Sequence, residues 1–529
     1  MVRLPAVLVP AVALALLALR PWRWDSSVWR AVERWAPSRR VTGGASAAIA
    51  LTLAWIVLTR LQSGELNGVD FTVYFDRPCA RTLQGRPLWV ETADFPQFSH
   101  QSSFEHHAYW GMVPLCAVYA LGASPLWLLG LSVVAVVAGA VHTLRIMQHL
   151  RAPGVLAAAT ALAFVLNDTT ARTLNYGFHP EVLYAWFIPW LIDAGMRGRR
   201  GQFLAAVVAS LLVKEDAVLP LFAACLALAL HRRESPSPLP SAWLMFPVML
   251  GLANLGAYYF IVLPAITARE LPAYDYFWAS YGPTPLRALA GMLAEPWRVA
   301  LDSVQSGFLS RVILPHLLLP LVAWRWMLGT IPIVALYSAS DDPQLRAFGI
   351  YYAMPLVPFL VTGASSGAFR LLRAVVPDTG KAALGSAALV AAGVVFIGST
   401  DRGYSLRPWR TETAHATAAV AQLAGERTIL VQSALYPHTG YDDRVQLLTG
   451  DTLRSPRYAG AAILLAPALG AYPLDRQDVA RLMLLPPVRS LAGGLVAVRG
   501  PGRPHHGSDS PGARHGAESR HGASRHGDR

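Results

Sequence analysis

Three groups of titratable side chains stand beside or within apolar segments that would otherwise carry none. Phe178-His179-Pro180-Glu181 opens one segment, Lys214-Glu215-Asp216 interrupts another, and Tyr351-Tyr352, preceded by Asp341-Asp342, opens a third. The polar stretch 61–124 adds Asp70, Asp76, Glu91, Asp94, Glu105, His106 and His107. Carboxylates beside imidazoles and an ammonium are the parts of acid–base chemistry. A carboxylate can take a proton, and fixed cations or N–H donors offset charge that develops on a leaving group. Ionisable groups at bilayer depth are expensive and mark functional candidates by default. Each group also has a structural reading. Pro180 in a first helical turn is a start signal and Glu181 there favours the helix dipole, but neither accounts for His179. Asp70 also reads as a solvated loop acid, and His106-His107 as an interfacial pair. Lys214 can neutralise only one of its two acidic neighbours. The triplet is therefore either an internal ion pair or a site that binds a cation or orients a polar ligand.

The elements that must position these residues are membrane helices. The chain has 529 residues, 54% of them hydrophobic and only 15% charged, with mean hydropathy +0.37. Soluble domains average about 25% charged, so a disordered chain, a coiled coil and an ordinary cytosolic enzyme are excluded. The net charge of +13 lies in loops flanking apolar segments, as in membrane proteins, and not in a nucleic-acid-binding stripe. Nearly all the basic residues are Arg; Lys214 and Lys381 are the only lysines. Cys79, Cys116 and Cys225 are too few and scattered for a disulfide framework or a cysteine-based zinc site.

A spanning helix needs about 20 mostly apolar residues. Segments 42–60, 125–146, 154–171, 178–195, 241–264, 348–368 and 382–399 qualify, with shorter runs at 5–19, 202–213, 217–230, 311–324 and 327–340. The first run reads as an anchor, since no small-residue cleavage site follows it. Basic loops at 20–40, 145–151, 197–200, 232–233 and 370–381 are assigned to the cytoplasm. Loops 61–124, 172–177, 265–309 and 341–347, and everything after 400, are then outside. That assignment requires 202–230 to enter and return, turning near Lys214-Glu215-Asp216; one long tilted helix with a buried charged triplet is the rival. All the titratable groups above then fall on the outer side.

The expected fold is mainly α: a polytopic bundle of about 10–12 membrane segments with a small extracytoplasmic C-terminal α/β domain. Residues 1–60 hold the anchor helices and a basic loop. Residues 61–124 form the first outer loop, with an interfacial helix over 108–122 whose Tyr109, Trp110 and Tyr119 suit the headgroup layer. Residues 125–400 form the transmembrane core. Residues 401–499 form the α/β domain, with strands at 428–431 and 461–465 and a helix at 412–424. Residues 500–529 are a His/Arg/Gly low-complexity tail expected to be disordered.

Asp70-Phe71, Gly85 before Pro87, Phe104-Glu105-His106, Phe178-His179-Pro180-Glu181, Lys214-Glu215-Asp216, Tyr351-Tyr352 followed by Pro355 and Pro358, and Val431-Gln432-Ser433-Ala434 through Pro437-His438 together resemble domain of unknown function 2079. The resemblance runs from about residue 65 to about residue 465. That family has no settled activity, but its architecture looks like the GT-C membrane glycosyltransferases. The resemblance therefore implies a lipid-linked sugar donor and an acidic residue in the first outer loop, here Asp70. On this reading Asp70 is the catalytic base. His106, His107, His179, Glu181, Lys214, Glu215, Asp216, Tyr351 and Tyr352 bind substrate, and Glu181 or Asp216 orients those groups or holds a divalent cation through oxygen ligands. The cofactor is otherwise open. The expected partner is a membrane lipid, a polyprenyl-phosphate sugar, and the expected location is the plasma membrane. No zincin, Gly-rich phosphate loop or serine elbow is present. A transporter or flippase of an envelope precursor, and a non-enzymatic envelope scaffold, are the alternatives.

Overall fold

Helix Arg39–Gln62 begins where Ser38 accepts the Val41 N–H at 3.3 Å, an N-cap that satisfies one of the donors a helix start leaves over. It ends on carbonyls with no partner inside the helix, and the far end of the chain supplies them. His438 Nε2 donates to Leu61 O at 2.9 Å, and the Arg410 N–H and Thr413 hydroxyl reach Gln62 O at 3.1 and 2.7 Å. Burial pushes the His438 imidazole down to about 4, so it is neutral and a donor at pH 7. The structure, a computed structural model, describes residues 38–66, 69–90, 101–267, 277–394, 404–486 and 489–500. The expected anchor 5–19, the arginines of 20–34, Glu91, Asp94, the end of segment 382–399 and the tail beyond 500 lie outside the described residues.

Among the described residues, five helical stretches are long and apolar enough to cross a membrane: Arg40–Gln62, Leu126–His149, Gly154–Tyr176, Ser241–Ile266 and Met354–Val375. Shorter helices pack among them. Segment 178–195 is a helix from Pro180 through Met196, entered by a 3-10 turn. Segment 202–230 is a hairpin, not one tilted helix. Helices Arg200–Leu211 and Val218–Leu230 flank the break at Lys214, where backbone and side-chain charges interrupt the apolar run. Direction follows from contacts: Lys214 meets Glu181 at the start of helix 180–196, whereas Leu228 lies against Gly195 near its end. The basic loops after His149, Met196, Leu230 and Val375 therefore lie at the bundle end remote from the titratable groups.

Several sequence expectations are corrected. Residues 172–177 are not a loop. Asn167 ends helix Gly154–Leu166, caps Thr169 N–H at 2.8 Å and starts helix Asp168–Tyr176. Run 311–324 is no single helix. Pro315 and Pro320 remove backbone donors, Leu317 and Leu318 take positive φ, and only short turns remain. Segment 348–368 becomes regular only from Val357, because Pro355 and Pro358 confine the helix start. Within 108–122, helical turns start at Met112, and Tyr109 and Tyr119 are buried at 1% and 2% exposure. They pack in protein rather than in the headgroup layer. Cys79 and Cys116 form a disulfide, with Cα atoms 4.7 Å apart. A single staple needs only that the fold bring two positions together, which spacing in sequence does not reveal.

The C-terminal region holds a five-stranded sheet in the order β2-β1-β3-β5-β4: β1 Ile429–Val431, β2 Val445–Leu447, β3 Ala462–Leu465, β4 Arg489–Ser490 and β5 Val496–Arg499. Strands β2, β1 and β3 are parallel, with Ile429 opposite Val445 and Ala462; β5 runs antiparallel to β3. Strands β1 and β3 are apolar and buried throughout, as a parallel sheet covered on both faces requires. Ala416, Ala419 and Val420 of helix Thr411–Gln422 cover one face together with Val73 from the first loop; Leu482 and Tyr458 cover the other. Arg77 clamps the docking, donating to Gly440 O at 2.9 Å and Asp442 O at 2.7 Å.

Candidate active site

Asp70 sits in the first turn of the helical segment that follows helix Arg39–Gln62. Its carboxylate accepts the Tyr176 hydroxyl from the end of helix Asp168–Tyr176. Gly177, at φ +113°, makes the next turn possible: a Cβ there would come within 3.0 Å of Phe71 Cβ. That turn delivers Phe178 and His179. Burial raises the Asp70 carboxyl above its ordinary value, with the Tyr176 hydrogen bond and the His179 charge opposing the shift.

His179 stacks on Tyr351, with ring centroids 3.6 Å apart and 15° between planes, and its Nδ1 pairs with Glu181. Glu181 also accepts from Lys214 Nζ at 3.0 Å, and Lys214 reaches Asp216 at 3.7 Å. Tyr351 continues to Tyr176 at 5.5 Å and to Tyr352 at 4.6 Å. Asp70, Tyr176, Tyr351, His179, Glu181, Lys214 and Asp216 thus form one chain of contacts. Glu215 points the other way. It binds His107 Nδ1 at 2.8 Å and the Ala108 N–H at 2.9 Å, tying the first loop to the hairpin turn. His106 stacks between Tyr74 and His107, 5.3 and 4.3 Å away. Burial lowers both imidazoles well below the ordinary histidine range, so they are neutral at pH 7.

All ten residues singled out from the sequence lie at one end of the bundle, but they differ in what they can do. Glu181, Lys214, Glu215, His179, His107 and Tyr351 are buried and saturate one another. Asp70, His106, Asp216 and Tyr352 keep partly open faces. Glu181 or Asp216 was expected to orient these groups or hold a divalent cation, and the Lys214 ammonium stands against both carboxylates. Among the described residues no group of three or more His, Cys, Asp or Glu is placed to hold a metal ion.

Beside this network lies a cavity of about 430 Å³ between the bundle end and the α/β domain. Tyr176 and Asn175 form its bundle wall, Ser433, Gly470 and Tyr472 its domain wall, and the exposed Arg410 its cationic side. Asp70 lies directly behind Tyr176. Sequence reasoning missed Tyr176, Arg410 and Tyr472, and it read Ser433 only within the segment that carries the family resemblance. Tyr176-Gly177 immediately precedes the Phe-His-Pro-Glu motif; Arg410 and Tyr472 lie in stretches whose meaning depends on the docking.

Asp76 serves that docking. It accepts from Tyr119 at 2.6 Å and Tyr441 at 2.8 Å, and burial pushes its carboxyl up to about 6.

A family model described as "Predicted membrane protein (DUF2079)" matches residues 57–439. No curated protein matches. Among solved structures, ArnT from Cupriavidus metallidurans bound to undecaprenyl phosphate shares 12% identity at a TM-score of 0.46, covering 88% of this chain and 98% of that chain. The apo state of the same protein gives 12% and 0.45, covering 86% and 97%.

Proposed function

This chain belongs to the DUF2079 family of predicted membrane proteins, and from that premise and the geometry above we propose that it is a GT-C-like glycosyltransferase using a polyprenyl-phosphate-linked sugar at the outer face of the plasma membrane. One observation carries the reading. A carboxylate whose basicity is raised by burial stands behind a tyrosine in the wall of a cavity shared by membrane helices and a water-facing domain. Such a cavity suits a reaction that joins a lipid-borne group to a polar acceptor.

In this mechanism an acceptor hydroxyl gives its proton to Asp70. Its oxygen bonds the anomeric carbon of the sugar, the bond from that carbon to the phosphate oxygen breaks, and the electron pair leaves on the polyprenyl phosphate. Tyr176 orients the carboxylate. Arg410, whose backbone N–H caps Gln62 O at the end of helix Arg39–Gln62 and which lines the cavity, offsets the leaving charge. The His179–Glu181–Lys214 group holds Tyr351 and the helix starts in place; these are positioning residues. Sidedness follows from the basic bundle end, which faces the cytoplasm under the positive-inside rule. The Cys79–Cys116 disulfide in the first outer loop agrees, because such bonds persist in oxidising compartments.

The test is transfer in vesicles from a panel of polyprenyl-phosphate hexoses and pentoses to short glycans. Asp70→Asn should lower turnover about 10²–10⁴-fold with folding intact. The wild-type rate should rise with pH along an acid limb above the ordinary carboxylate range. Undiminished transfer by Asp70→Asn would refute the assignment.

A further inference from the structure

The segment Val431-Gln432-Ser433-Ala434 belongs to none of the contacts of the charged network, yet its Ser433 and Ala434 line the cavity. Parallel strands open a crevice beyond their carboxyl ends, where the outgoing connections diverge, and ligands settle there. Strands β1 and β3 are adjacent and parallel, with Val431 opposite Leu464. The chain leaves β1 into Gln432–Ala434 and leaves β3 into 466–472. Both exits line the cavity, which therefore sits at the carboxyl edge of the sheet and faces Tyr176 across it.

The two exits are cross-tied. Gln432 is 1% exposed; its Oε1 accepts the Ala466 N–H at 2.9 Å and its Nε2 donates to Gly470 O at 2.6 Å. The Ser433 hydroxyl donates to Tyr472 O. One buried amide thus fixes both loops, a pre-formed wall of the kind small-molecule sites use. Ser433, Asn175, Tyr176 and Tyr472 line it with uncharged polar groups and aromatic rings, while Arg410 and Glu65, the latter paired with Arg407 at 2.8 Å, add one charge of each sign. Aromatic faces and short hydrogen-bonding groups suit a sugar ring, which offers C–H faces and hydroxyl edges. A cavity of about 430 Å³ is within the usual range for a small ligand.

We infer that this crevice is the acceptor subsite, binding a neutral polyhydroxylated acceptor of carbohydrate type through the α/β domain and presenting one hydroxyl to Asp70. The inference rests on the transferase reading for the words "acceptor" and "presenting", but not for binding itself. The donor's lipid must remain in the bilayer, so within this one cavity the division is between Arg410, which takes the donor phosphate, and the Ser433–Tyr472 wall, which takes the acceptor.

The experiment uses the full chain in nanodiscs and a panel of neutral trisaccharides of gluco-, galacto- and manno-configuration, followed by saturation-transfer NMR and by transfer kinetics. At least one trisaccharide should bind wild type. Ser433→Ala and Tyr472→Ala should weaken it at least tenfold, and Tyr472→Phe should retain it through the ring face. In transfer, Ser433→Ala and Tyr472→Ala should raise the acceptor KM at least tenfold and leave the donor KM unchanged. Binding that depends on Tyr472 without transfer from any donor would overturn the transferase reading and leave the crevice standing. Transfer in which these variants move the donor KM alone, or an absence of trisaccharide binding to wild type, would overturn the crevice.

Discussion

Lys214→Met separates a structural ion pair from a ligand-binding cation. In the folded protein the ammonium is 7% exposed and lies 3.0 Å from Glu181, itself 2% exposed, and 3.7 Å from Asp216. At an effective dielectric of about 20 each contact is worth roughly 5 kcal/mol before desolvation. Desolvation of both ions offsets most of that, and the partly open Asp216 is screened. What remains after Lys214→Met is a buried Glu181 carboxylate held by His179 alone. Stranding one partner of a buried pair costs about 3–5 kcal/mol. Methionine keeps the volume, so the loss should be electrostatic. Glu181→Gln in the same background removes the stranded charge and should restore part of the stability, giving a coupling of about 1–3 kcal/mol in a double-mutant cycle. The assay is SDS-driven unfolding in bicelles followed by tryptophan fluorescence. A loss under about 0.5 kcal/mol, or strict additivity of the two changes, would refute the argument that Lys214 organises this end of the bundle.

Further expectations can be checked in the same format. Asp76 has a folded value of about 6 against an ordinary 3.8. The folded state therefore holds the extra proton between those values, so stability falls by about 3 kcal/mol as pH rises through that window and is level above it. The difference between wild type and Asp76→Asn, measured at pH 4.5 and pH 7.5, should carry that slope. Gly177→Ala forces a positive φ and a 3.0 Å contact with Phe71, a cost of about 1–3 kcal/mol; transfer activity should fall with it, and an unchanged protein would show that the turn tolerates a Cβ. The double change Cys79→Ala/Cys116→Ala opens a bridge spanning 37 residues and should cost about 2–4 kcal/mol, read as lower resistance of the first loop to protease.

Much of the architecture was legible before any coordinates. Apolar run length marks membrane helices because an unpaired backbone group in lipid is prohibitively costly. Basic loops at both flanks favoured the hairpin at 202–230 over one tilted helix, and β1 and β3 were legible as short apolar runs between turns. Helix boundaries were less legible where proline or a single cap decides them, as at Asn167, Pro315 and Pro355. The ten candidate residues were legible as chemistry out of place, but their division of labour was not.

Local pattern determines which stretch is a helix, where it must stop and which side chains are too costly to leave unpaired, because those are properties of neighbours along the chain. Only the tertiary structure decides who the partners are. Tyr176 meets Asp70 across 106 positions, Glu215 meets His107 across 108, and Arg77 meets Gly440 across 363. A carboxylate in sequence is compatible with any cation or hydroxyl. Which one it meets depends on which helix faces touch, and that is set by the summed packing of the whole bundle and the domain docked on it.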